Sequence, residues 1–165
     1  MIEAKVGKIE FVADLEKYAK SVKRTYITAL KWTVKWLSDE IIKRSPHDKG
    51  NFIASNRISF NFVDNSVYTG PKMTKGAAKA AAKRQQDKIK NLDQSVLDNL
   101  TTIWLSNNVP YAQMLEYGLY PYPGPKLIDG YSKQAPKGIY RLSVQAAEDR
   151  LKEFIKKAEI KEGIS

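Results

Sequence analysis

The chain has 165 residues, no cysteine, 42% hydrophobic and 28% charged residues, and a formal net charge of +10. Its length suits one domain, 1–165, with a real core, its composition is globular, and the lack of thiols removes disulfides and thiolate metal sites. No apolar run reaches the ~18 residues of a membrane span, and the mixed-charge start MIEAKVGKIEFVADLEK has no apolar block of the kind a signal peptide needs.

The first predicted element is a long helix over Asp14–Arg44. Residues of the inward stripe recur there at Leu15, Tyr18, Val22, Tyr26, Ala29, Leu30, Thr33, Leu37 and Ile41, mostly in steps of three and four. Asp14 is the candidate N-cap, with Lys17 in place of the glutamate of a capping box. Ser45-Pro46 ends the helix, because a residue before proline avoids the helical region. Trp32 and Trp36 lie beside the apolar stripe and read first as core, second as a subunit contact. Ser45–Gly50 reads as a loop. From Ile58 to Val63 polar and apolar residues alternate as in a half-buried strand. Asp64-Asn65-Ser66 reads as a turn, and Val67-Tyr68-Thr69 as the returning strand of a hairpin.

Residues 72–90 carry seven basic side chains and one acidic, so more than half of the excess charge lies in nineteen residues. This Ala- and Lys-rich insert has helical propensity but shows almost no apolar face, so it is expected to be marginal until something holds it. Its candidate polyanion-facing residues are Lys75, Lys79, Lys83, Arg84 and Lys88. The same charge serves equally well as a solvated, solubilising loop. Leu92–Leu100 reads as a second polar helix or connector, and Thr101–Ser106 as a central strand, being β-branched and apolar. Asn107-Asn108 breaks it. Pro110 suits the start of a short helix and Gly118 its end. Tyr111 and Leu115 share a face that is expected to point inward, while Glu116 is expected to point outward. Residues 119–131, with three prolines and two glycines, read as an outward-facing surface loop. Lys137–Ile160 reads as a C-terminal helix whose first turns, IYRLSV, also suit a strand. The expected fold is α+β, a small and mainly antiparallel sheet covered by the long N-terminal and C-terminal helices.

Catalytic signatures are wanting. His47 is the only histidine, which leaves no Cys–His dyad, no histidine metal cluster and no serine triad with a nucleophile elbow. Neither GxGxxG nor GxxxxGK[ST] occurs. No enzyme activity, cofactor or metal is therefore expected. The basic segment lacks interleaved aromatics, so a contact with nucleic acid would be made to phosphates and not to sequence.

Three stretches carry a family pattern. Asn107–Gly118, NNVPYAQMLEYG, is followed by YSKQAPKGIYRL, and Ser45–Gly50, SPHDKG, precedes both. Together they resemble the tail-completion and head–tail joining proteins of long-tailed bacteriophages, a group that includes the minor tail protein Z-like family. The family pattern is SP-x-D-x-G after a long helix, then N-x-x-PYA-x-x-x-EYG and S-x-QAP-x-G before a C-terminal helix. The match rests on Ser45, Pro46, Asp48 and Gly50, on Pro110, Tyr111, Ala112, Glu116, Tyr117 and Gly118, and on Ser132, Gln134, Ala135, Pro136 and Gly138. The chain departs from the pattern in the basic insert and at 119–131, where many relatives run almost directly from EYG to S-x-QAP. The resemblance implies a structural virion protein of the neck, at the head-proximal end of the tail. It implies a ring, commonly of six copies, around the DNA channel, assembled in the host cytoplasm. Its implied partners are other copies of itself, a tail tube or tail terminator protein, head connector proteins and the nearby phage DNA, with no membrane. The implied assembly residues are Pro110, Tyr111, Glu116, Tyr117, Gly118, Tyr120, Tyr122 and Gln134. A sequence-independent DNA-binding accessory protein is the rival expectation.

Overall fold

The computed structural model describes residues 2–92 and 98–164, with side chains for Tyr18 and from Lys20 onward. The fold is α+β, with a long N-terminal helix, a C-terminal helix and two small antiparallel sheets. Helix α1 is Ile2–Arg44, so Asp14 lies inside it and not at its start. No proline interrupts Ile2–Ala13, and an incomplete capping box is a weak stop signal. The other end is as expected: Ser45 Oγ donates to the Ile41 carbonyl at 2.7 Å, and Pro46 follows. No helix among the described residues is long and apolar enough to cross a membrane.

The contacts group into two units, one formed by Met1–Thr33 with Asp149–Ser165 and one by Val34–Glu148. In the first, the early part of α1 packs with the later part of α6 (Tyr140–Glu162). Trp32 meets Phe154 edge-on at 6.0 Å between ring centroids, and Ser21 Oγ donates to the Glu162 carbonyl at 3.3 Å. Those two contacts fix the pair as antiparallel. Thr25, Ala29 and Ala158 are buried, small residues of the kind that let two helices approach. Trp32 therefore fills part of a helix–helix seam, with Lys161 Nζ over its outer ring face at 5.5 Å.

The second unit holds the sheet and two apolar clusters. Helix α2 (Asn51–Ala54) leads into β1 (Arg57–Phe60). The hairpin expected at 58–69 does not form. Strand β1 pairs antiparallel with β2 (Ile103–Ser106), matching Arg57 with Ser106 and Phe60 with Ile103. The strand stops because Asn61 turns left-handed at φ 64°, a conformation that Asn tolerates better than most residues. Its Oδ1 accepts from the Thr101 N–H at 2.9 Å. Residues 62–69 leave the ladder, and side chains hold them instead. Ser59 Oγ accepts from the Asp64 N–H at 3.0 Å, and Ser106 Oγ donates to the Asp64 carbonyl at 2.9 Å. Phe62, expected inside, is 75% exposed. Strand β2 exists where expected, but in a two-stranded sheet it is not central.

The basic insert is a helix docked through a small apolar face. Helix α3 (Lys75–Lys83) is capped by Thr74, whose Oγ1 accepts from the Ala77 N–H at 3.2 Å. A short 3₁₀ turn, Arg84–Gln86, and α4 (Asp87–Lys90) continue it. Its buried face is made of alanines: Ala78 and Ala82 pack with Ile42, Ile53 and Ala54. Gln86 and Ile89 extend the buried side. The other cluster joins Ile41, Phe52, Val109, Leu115, Ala135 and Ile139. Adjacent residues of α1, Ile41 and Ile42, thus enter different clusters, and burying each such side chain contributes ~1.5–3 kcal/mol. The connector expected over Leu92–Leu100 falls mostly outside the described residues.

Candidate functional site

The three motif stretches come together in the second unit and bind one another. In the SPHDKG loop, Gly50 adopts φ +87°, and a Cβ there would press on Met73 Cβ at 3.0 Å. The loop is tied to the start of the insert, where the Met73 N–H donates to the Lys49 carbonyl at 3.0 Å. His47 Nε2 lies 3.0 Å from the Met73 carbonyl, so the ring serves as a tether.

Gln134 links this loop to the third motif. The His47 N–H donates to Gln134 Oε1 at 2.9 Å, and Gln134 Nε2 donates to the His47 carbonyl at 3.1 Å. A side-chain amide here pairs with a backbone peptide as a neighbouring strand would. The SxQAP turn is itself closed by the Ala135 N–H on the Ser132 carbonyl at 2.8 Å.

The second motif forms α5 (Ala112–Tyr117). Pro110 sits in the turn before it, where the Ala112 N–H donates to the Val109 carbonyl at 2.9 Å. Leu115 points inward as expected, and Tyr111 is half-buried with its ring 6.3 Å from that of Phe52. Burial, with nearby Tyr120 and Asp48 adding to it, raises the Tyr111 phenol above its ordinary range.

Glu116 is the main correction. Expected outside, it is only 9% exposed. Its Oε2 accepts from the Ile139 N–H at 2.8 Å and the Tyr140 N–H at 2.9 Å, and its Oε1 accepts from the Arg141 N–H at 2.9 Å. These are the open donors at the start of α6, which every helix must satisfy somehow. An anion at a helix N-terminus also meets the positive end of the helix dipole. Glu116 thus caps a helix that begins 24 residues later in the chain. Arg141 closes the arrangement: its Nη2 donates to the Glu116 carbonyl at 3.0 Å, and its guanidinium lies 4.9 Å from the Tyr117 ring centroid. Gly138, at φ +90°, must be glycine here, because a Cβ would fall 2.6 Å from the Glu116 carbonyl oxygen.

A second network lies behind the motifs and was not anticipated. The Tyr140 hydroxyl donates to Asn56 Oδ1 at 2.6 Å, and Asn107 Nδ2 donates to the same oxygen at 3.0 Å. Asn56 Nδ2 donates to the Ile53 carbonyl at 3.1 Å. The only sequence signal was an asparagine after a short apolar run, which is too common to single out. Burial first, and then the charge of Glu116, hold the Tyr140 phenol well above its ordinary range. A phenol raised in the folded state stabilises fully below its unfolded value of ~10 and loses that contribution as pH rises above it. Denaturant midpoints taken from neutral pH to about 11 should therefore fall at the alkaline end. Tyr140→Phe should remove much of that fall, at a cost near 1 kcal/mol for the lost hydrogen bond. An unchanged alkaline slope in Tyr140→Phe would refute the assignment.

What the fold leaves outside is the loop after α5. Gly118 ends the helix at φ +68°, and the Leu119 N–H donates to the Met114 carbonyl at 3.1 Å. The loop contains a two-residue ladder, β3 (Leu127–Ile128) with β4 (Tyr131–Ser132). Its base is pinched, with the Tyr120 N–H on the Gly130 carbonyl at 3.2 Å. Tyr117 is 52% exposed and Tyr122 80%, and Leu119 and Ile128 are exposed with them. Between this loop and SPHDKG lies a groove of about 680 Å³, lined by Pro46, Phe52, Tyr111, Leu115, Tyr120 and Leu127 among others.

The cations of the insert divide. Lys88 Nζ donates to the Ile58 carbonyl at 2.9 Å and lies 3.7 Å from Asp64, so it secures the edge of β1. Lys83 is 3.9 Å from Asp39. Lys75 and Arg84 are exposed, and Lys79 is partly so. No family model, curated protein or solved structure matches this chain.

Proposed function

We propose that the chain is a structural protein of the neck of a long-tailed phage, whose copies form a ring that completes the tail and joins it to the head around the DNA channel. The observation that carries this reading is the interlocking of the three motif stretches. SPHDKG, PYAQMLEYG and YSKQAPKGIYRL are separate in sequence, yet Gln134 and Glu116 bind them into one unit. That unit presents an aromatic loop which its own fold does not cover. Tyrosines suit interfaces, because they give large contact area with a polar tip at small entropic cost. On this reading the tail tube or tail terminator and the head connector proteins meet the ring, and its work is positional, not chemical.

The test is complementation of a phage lacking this protein, scored for free heads and free tails. Tyr117→Ala and Tyr122→Ala should fold normally, since both rings are exposed, and should leave heads and tails unjoined. Truncating an aromatic anchor at an interface centre costs roughly 2 kcal/mol or more. Normal melting together with full yields of infectious particles from both variants would defeat the proposal.

The exposed cations Lys75 and Arg84, with the partly exposed Lys79, favour a second reading, a sequence-independent DNA-binding accessory protein. It requires the free protein to bind duplex DNA with an affinity that falls steeply as salt rises.

A further inference from the structure

We infer that copies of this chain join head to tail, with the segment Pro121–Pro125 of one copy seated in the groove between the SPHDKG loop and α5 of the next. The inference deepens the ring reading, on which its biological use rests, but the contact stands on its own observations.

The groove comes first. Its volume of about 680 Å³ falls within the ~300–1,000 Å³ typical of built ligand sites. Its lining includes Phe52, Tyr111 and Tyr120 together with Pro46, Leu115 and Leu127. Aromatic-lined grooves of this kind take up proline-rich segments, whose stiff extended form has little entropy left to lose on binding. Phe52 and Leu115 are buried in the apolar cluster, and the loop is held by Gln134, so the groove is preformed and does not depend on an occupant.

The occupant is on the same chain. Residues 119–125 read LYPYPGP, with three prolines, two tyrosines and no charge. Tyr122 is 80% exposed, more than any other large hydrophobic side chain among the described residues. On a chain of net charge +10, an uncharged segment adds no repulsion of its own when two copies approach. The segment cannot fill its own groove, because Tyr120 and Leu127, which flank it, already form part of the groove wall. The Tyr120–Gly130 hydrogen bond also closes the loop at its base. Donor segment and acceptor groove are thus different surfaces of one molecule. Such a contact is heterologous, and repeating it generates either a closed ring or an open filament.

The test uses the full chain in two arms. In the first, a synthetic peptide of residues Leu119–Lys126 is titrated into the isotopically labelled protein. Amide shifts should concentrate at residues 47–52 and at Tyr111. In the second arm, sedimentation velocity compares the wild type with a loop variant, Tyr122→Ala, and a groove-blocking variant, Lys49→Trp. Both positions are exposed, and melting curves confirm that each variant is folded. The wild type should associate as its concentration rises, and each variant alone should stay monomeric. An equimolar mixture of the two should form dimers and stop there, because the mixture retains one intact loop and one intact groove. A wild type that stays monomeric overturns the inference, and peptide binding in that case would assign the groove to a proline-rich segment of another protein. Groove amides that do not move, or a mixture that stays monomeric while the wild type associates, also overturn it. A chain that associates in this way yet fails to join heads and tails would defeat the neck reading and leave the contact standing.

Discussion

Glu116→Ala should lower the melting temperature by roughly 6–12 °C. The carboxylate accepts three backbone N–H groups at the start of α6. Removing it deletes a helix cap, worth about 1 kcal/mol, and strands donors that water reaches poorly, each at ~1–3 kcal/mol. A combined loss near 3 kcal/mol is a conservative expectation, and a chain of this size shifts by ~2–4 °C per kcal/mol. Glu116→Gln keeps one carbonyl oxygen as acceptor and should lose about half as much. Glu116→Lys should be the worst of the three, because it sets a cation against the positive end of a helix. Thermal melts of the three variants check this order, and a Glu116→Lys protein melting within ~2 °C of the wild type would show that the cap is dispensable.

Ala78→Asp should detach α3 without unfolding the rest of the second unit. Ala78 is 0% exposed and lies against Ile42, Ile53 and Ala54. A carboxylate there would have no partner in an apolar seam, a situation that costs several kcal/mol. The penalty is capped by the free energy of releasing the helix, since local opening is the cheaper escape. Native-state hydrogen exchange is the measurement. Amides of Ala77–Lys83 should be protected in the wild type and exchange quickly in the variant, while those of β1 and β2 change little. Protection retained across α3 in Ala78→Asp would mean that the alanine face does not hold the helix.

These two positions also show where sequence reading stopped. The end of α1 was legible because Pro46 excludes the helical conformation before it, and α6 was legible from its period of three to four. Strand β2 was visible in a β-branched run. Its pairing was not, since the choice of partner strand is made by burial and side-chain neighbours and not by local propensity. The left-handed turn at Asn61 removed the expected hairpin, and an asparagine in a polar stretch gives little warning of that. The insert failed for a different reason. Alanine signals helix propensity in a sequence but does not mark a buried face, and here it is the small apolar contact against Ile42, Ile53 and Ala54. The burial of Glu116 is hidden from the sequence because carboxylates are seldom buried. Its partners are main-chain donors, which have no side-chain signature, although the glycine at 138 marked the close approach.

The pinched base of the 119–131 loop separates two kinds of change. Gly118 and Gly130 approach so closely that a Cβ on Gly130 would overlap the Gly118 carbonyl oxygen. The chain therefore leaves and re-enters the fold at nearly one point. What lies between can lengthen at little cost, since doubling a flexible loop adds only ~0.6 kcal/mol of closure entropy. An epitope tag inserted at Pro123-Gly124 should thus be carried by a protein that melts normally. The same property lets the loop change in length and sequence by insertion and deletion while the capped helix and the glutamine clasp beneath it stay fixed.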